Sequence, residues 1–147
     1  MRVVDRSGTV LENVAIVIPT KIIDSNLASL LDHLLRKTSA EIVVVKTDEC
    51  SVEAFSRFHR ERQITLVTAG ASRGGQIRQG IVNSERPFIW VLHVDSVIDD
   101  STIKAITEMS RRQDEVWGRF NLSLIPSTRM LQLIYFINIL RSRKKKK

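Results

Sequence analysis

The sequence predicts an α/β domain: a mostly parallel twisted sheet with helices on both faces. Three observations carry that expectation. Short apolar runs alternate along the chain with amphipathic helical stripes. The runs show no period-two alternation, which marks strands buried on both faces. The connections between them are short, as β-α-β units require.

The first run, "VAIVIP" at 14–19, is β-branched and closed by Pro19. Asp24 or Ser25 can cap the helix that follows. Leu27, Leu30, Leu31, Leu34 and Leu35 supply its core-facing stripe. "EIVVV" at 41–45 is the second strand, residues 51–62 a short helix, and "ITLVT" at 64–68 the third strand. The small-residue loop "AGASRGG" at 69–75 opens a helix reaching about Asn83, and "FIWVLHV" at 88–94 is the fourth strand. Residues 99–113 begin with acids and hydroxyls, as a helix N-terminus favours. "VWGRFNLSL" at 116–124 alternates, with Val116, Gly118, Phe120, Leu122 and Leu124 on one side, and predicts a half-exposed strand. A last helix is expected over 127–140. One domain over 1–140 and a basic tail over 141–147 follow.

Composition narrows the function classes. The chain has 147 residues, 43% hydrophobic and 27% charged, and a net charge of +7. Six of its 23 basic residues fall in the last seven positions, so the body carries 17 basic against 16 acidic residues. The basicity is a solvated tail, not a nucleic-acid face; no aromatic-basic interleaving occurs, and sequence-specific nucleic-acid binding is not expected. Membrane contact by the tail is the less favoured reading. One cysteine, Cys50, excludes an internal disulfide and fits a reduced, cytoplasmic setting. No signal peptide and no run of spanning length is evident.

In open α/β sheets ligands bind beyond the carboxyl ends of the strands. That rule selects Pro19, Thr20 and Lys21; Lys46, Thr47, Asp48 and Glu49; Ala69 through Arg73; and His93, Val94 and Asp95. His93 and Asp95, one residue apart, can face one side and hold Mg²⁺ or Mn²⁺ against a diphosphate. The same stretch can be a capping cluster, with Asp95 opening a turn and Asp99 or Asp100 capping the next helix. On the pattern alone the cap is the simpler reading, since His-x-Asp is a short, common string. "SRGGQIRQG" at 72–80 can likewise be a phosphate-facing helix start or a glycine-permitted turn. His33 and His59 have no partner at metal spacing, and Cys50 has no identifiable base.

Taken in order, "VAIVIPT" at 14–20, "EIVVV", "SRGGQIRQG", "VLHVDSVI" at 91–98, "WGRFNLSL" at 117–124 and "INILRSR" at 137–143 resemble the family 2 glycosyltransferases of the GT-A fold. The nearest likeness is to the arsenosugar-biosynthesis-type branch. The resemblance implies a nucleotide-sugar donor, an unidentified acceptor and Mg²⁺ or Mn²⁺. By the same likeness His93 and Asp95 match a variant of the D-x-D motif that meets the metal and the diphosphate. Pro19, Thr20, Arg73 and Gln76 match nucleotide-sugar segments, and Trp117 and Arg119 a segment near the acceptor. The departures are Lys46 where the family carries a base-reading aspartate, Ile22 and Ile23 for Asn-Glu, and a chain that ends before the family's Gly-Asp-Gln segment. A truncated, catalytically incomplete GT-A-like binding module is therefore the second expectation. The stretch 130–140 is apolar around most of a helix, which predicts self-association. Light scattering at high concentration checks this: a dimer is expected, and a clean monomer overturns it.

Overall fold

The computed structural model describes residues 11–49, 53–58, 60–112, 117, 118 and 120. The chain divides into two compact units, Met1–Gln113 and Asp114–Lys147. In the second, the described residues are Trp117, Gly118 and Phe120, none of them in a helix or strand. The remainder of the strand expected at 116–124 and the helix expected at 127–140 lie outside the described residues.

The first unit runs β1 (Val14–Pro19), α1 (Ser25–Lys37), β2 (Glu41–Lys46), a 3₁₀ segment (Glu53–Phe58), β3 (Ile64–Thr68), α2 (Arg73–Val82), β4 (Phe88–Val91) and α3 (Asp100–Ser110). The four strands form a parallel sheet in the order β3-β2-β1-β4. The α/β class expected from the apolar runs is thus the observed one. The two central strands are the most deeply buried. β1 is buried along its whole length, and β2 from Ile42 onward. Burial on both faces removes the reason to alternate.

Each face has its own core. Ile16, Ile18, Ile42 and Val44 meet Leu27, Leu30, Leu31 and Leu34 of α1, Phe55 and Phe58, and Ile103 and Ile106 of α3. Val17, Val43 and Val45 point the other way, with Ala69. On that side α2 packs against β1, β2 and β3. Its two buried residues are Gln76 and Gly80, so its seat on the sheet is not an apolar stripe.

Local chemistry sets the boundaries. Asp24 is the α1 N-cap, accepting from Asn26 N (3.1 Å) and Leu27 N (3.0 Å). Three expected elements are shorter in the structure. The helix expected over 51–62 is the 3₁₀ segment Glu53–Phe58. At three residues per turn it stacks Phe55 and Phe58 on one side, ring centroids 5.6 Å apart, so both enter the core. β4 stops at Val91: Leu92 N still donates to Val17 O (2.9 Å), but Ser96 N then bonds His93 O (3.1 Å) and the chain turns. The last described helix ends at Ser110, not at residue 113.

Asp99 is the α3 N-cap. It accepts from Thr102 Oγ1 (2.7 Å), Thr102 N (2.8 Å) and Ser101 Oγ (2.8 Å). Those donors, Thr102's hydroxyl first, hold its carboxyl at about 2, below the ordinary 3.8. A depressed folded-state value gives stability that is complete above the unfolded value and disappears as pH falls through the folded one. Wild type is therefore expected to be more stable than Asp99→Ala at pH 5. The gap should close between about pH 4 and pH 2 in urea melts. A gap that does not change over that interval would show that the cap does not act through its charge.

Candidate functional site

The chain builds outward from β1 to β2 to β3, then returns through α2 to place β4 on the other side of β1. Strand order reverses between β1 and β4, and a crevice at such a reversal is the usual ligand site of open α/β sheets. Four strand exits form the rim.

At the β1 exit Thr20 is buried, and its hydroxyl is spent on its own backbone. It donates to Ile22 O (2.5 Å) and accepts from Ile22 N (3.2 Å), closing a tight turn. At the β2 exit Lys46 is buried and its ammonium donates to Thr47 O (3.1 Å). At the β3 exit Ala69 N donates to Lys46 O (2.9 Å), and Ser72 caps α2 by accepting from Gly75 N (3.1 Å). A cleft of about 220 Å³ opens over these three exits, lined by Lys21, Thr47, Asp48, Glu49, Ala69 and Ala71.

At the β4 exit His93 Nδ1 and Asp95 Oδ1 approach to 2.5 Å, at an angle that makes no hydrogen bond. The Asp95 side chain is 75% exposed in the turn after β4. The cap on α3 is Asp99 and Asp95 lies in the turn after β4, so the simpler reading of this acidic string fits the geometry of both residues, and Asp95 differs in leaving its carboxylate exposed at the strand exit. Asp100 pairs instead with Lys37 at 2.9 Å.

The structure brings His93 and Asp95 together, and the parallel register ends at Val17 and Val91, two residues before Pro19 and His93. Arg73 is the exposed first residue of α2, and Gln76 is buried one turn later beneath the β1 and β2 exits. The cleft of Lys21, Asp48 and Glu49 lies over the neighbouring exits, and none of Pro19, Thr20, Arg73, Gln76, His93 or Asp95 is among its lining residues. Trp117 is exposed, and Arg119 lies outside the described residues. Among the described residues no three His, Cys, Asp or Glu side chains converge as a metal cage.

A family model described as glycosyltransferase like family 2 matches residues 12–134, which takes in every strand and helix of this rim. The chain belongs to that family. No curated protein and no solved structure matches it. For a family 2 glycosyltransferase-like domain, the parallel sheet covered by helices is the GT-A, Rossmann-like architecture. Among the described residues no helix is long and apolar enough to cross a membrane. The cleft residues Lys21, Asp48 and Glu49 were reachable from the strand-exit rule. The resemblance singles out Gln76 as a nucleotide-sugar residue, but its brace was not reachable, because nothing in the string "GGQIRQG" says that its amide turns onto the backbone of the sheet.

Proposed function

We propose that this domain is a glycosyltransferase that takes a nucleotide-sugar at the carboxyl rim of its sheet and transfers the sugar to an acceptor. The observation that carries the reading is that the family match covers a rim whose strand-order reversal holds His93 and Asp95. The likeness of "VLHVDSVI" to the arsenosugar-type branch supports the same assignment at finer grain.

The donor set suits a metal that the ligand helps to hold. Mg²⁺ and Mn²⁺ keep several waters and take one or two carboxylates together with substrate phosphates, so one exposed carboxylate is enough where three would make a cage. Asp95 would hold the ion with His93 beside it, and the ion would neutralise the diphosphate as it leaves. Arg73 adds a fixed cation on the same rim. The wall at β1 acts through backbone, since Thr20 keeps its hydroxyl to itself. A lysine has donors only, so Lys46 cannot accept a base N–H. Asp48 and Glu49 in the cleft are the carboxylates left to do so.

Lys46 is also what favours a second reading, a GT-A-like module that binds a ligand without transferring a sugar. Its ammonium is buried and turned onto Thr47 O where the family has an acid. Calorimetric titration with UDP and GDP, with and without Mn²⁺, tests the site. Turnover of a bound nucleotide-sugar then separates the readings. Metal-dependent binding with turnover is expected. Binding without turnover supports the module, and no binding of either nucleotide defeats the assignment of this rim.

A further inference from the structure

We infer that Gln76 is a positioning residue. Its side-chain amide fixes the fork between β1 and β2 at which the site opens, and it acts on the ligand through that backbone without touching it. The inference rests on the reading of the rim as a nucleotide site.

The β1–β2 ladder ends at the pair Pro19 and Val45, with Thr20 N donating to Val45 O at 2.9 Å. Past this point the two chains separate: one enters the Thr20–Ile22 turn, the other continues to Thr47 and Asp48. Lys21, Thr47 and Asp48, two to three residues beyond the last ladder pair, line the cleft. Gln76 Nε2 sits at the fork and donates to Thr20 O (2.7 Å) and to Val45 O (3.0 Å). One nitrogen thus uses both of its hydrogens on carbonyls of two adjacent strands, in a side chain 2% exposed. Val45 O in turn receives two donors, Thr20 N from the β1 branch and Gln76 Nε2 from α2.

The residue type is specified by this task. Only a primary amide offers two hydrogens on one neutral nitrogen; asparagine is a methylene shorter, lysine would bury a charge, and glutamate has no hydrogens to give. An apolar side chain would bury more hydrocarbon at this position but would leave the fork unbridged. The helix is built to keep the bridge. Gln76 N bonds Ser72 O (3.0 Å) within the capped first turn, and Gly80, one turn on, lets α2 lie against Val17 and Val45. A fork held before ligand arrives spares the ligand the cost of ordering it.

The test compares Gln76→Met and Gln76→Glu with Ile106→Val, a core change on the opposite face of the sheet. Hydrogen exchange at the Thr20 amide reads the fork directly, and calorimetry with UDP or GDP plus Mn²⁺ reads the site. Both Gln76 variants are expected to exchange Thr20 about tenfold faster and to bind nucleotide about tenfold more weakly, the scale of one lost buried hydrogen bond. Ile106→Val should leave both at wild-type values even where its melting temperature falls as far. Unchanged Thr20 exchange in a folded Gln76 variant overturns the inference. So does faster exchange with unchanged affinity, which makes Gln76 a brace for the fold alone. If wild type binds neither nucleotide, the reading of the rim has failed, while Thr20 exchange still reports on the fork. If neither variant folds, the wild-type Gln76 side-chain amide decides: both protons should be protected from exchange, and rapid exchange refutes the bridge.

Discussion

Replacing Asp95 by alanine is expected to abolish Mn²⁺-dependent binding of UDP or GDP while leaving the melting temperature within about 3 °C of wild type. The two halves have separate causes. Asp95 stands in an exposed turn and touches His93; it caps no helix and enters no core. Surface changes of this kind alter stability by about 0.5 kcal/mol or less. Among the described residues no other uncommitted carboxylate stands at the β4 exit, since Asp99 caps α3 and Asp100 pairs with Lys37, and removing such an anchor is expected to weaken metal-dependent binding by about 100-fold or more, at least the cost of losing an outer-shell partner. Asp99→Ala is the matching control. It removes the α3 cap, so it should lower the melting temperature and leave nucleotide affinity unchanged. Equal Mn²⁺ dependence in wild type and Asp95→Ala would assign Asp95 to the turn and end its metal role.

These two aspartates show how far the sequence could be read. "DSVIDD" places three acids within six residues, and composition cannot distribute the roles among them. Once the chain turns after Val91, Asp99 meets the free N–H groups of α3, Asp100 meets Lys37, and Asp95 is left at the strand exit. β1 and β2 were legible because burial on both faces leaves an uninterrupted apolar string, and α1 because its leucines repeat at helical spacing. The 3₁₀ segment was not, since Phe55 and Phe58 at i and i+3 suit an α-helix equally well. Of the site, the strand exits were legible as positions. Which exits share a cleft depends on where each loop goes after its strand, and the loops beyond β1, β2 and β3 converge. The bridge from Gln76 is a tertiary event with no local signature, and the turn of Lys46 onto its neighbour's carbonyl, Thr47 O, follows from burial that the local string does not show.

Two glycines on α2 are expected to respond to alanine with opposite signs. Helix propensity alone treats them alike: alanine is favoured over glycine by about 1 kcal/mol in a helix interior, and by less in the first turn. At Gly74 an added Cβ would meet nothing within 4 Å, so Gly74→Ala should stabilise the domain by a few tenths to about 1 kcal/mol. At Gly80 the same carbon would overlap Val17 Cγ1 and lie 3.1 Å from Val45 Cγ2 and 3.2 Å from Val17 Cγ2. Both valines are fully buried on the central strands, and β-branched side chains in strands cannot rotate clear. Overpacking of this kind costs about 1–3 kcal/mol, more than the propensity gain returns. The structure can yield in one other way, by lifting α2 from the sheet. That would lengthen the two bonds from Gln76 one turn earlier, so the loss of stability should come with faster exchange at Thr20. Urea melts of the two variants decide the matter. A Gly80→Ala protein as stable as Gly74→Ala would mean that α2 has slack against β1 and β2, and a helix with slack there could not hold the fork beneath the site.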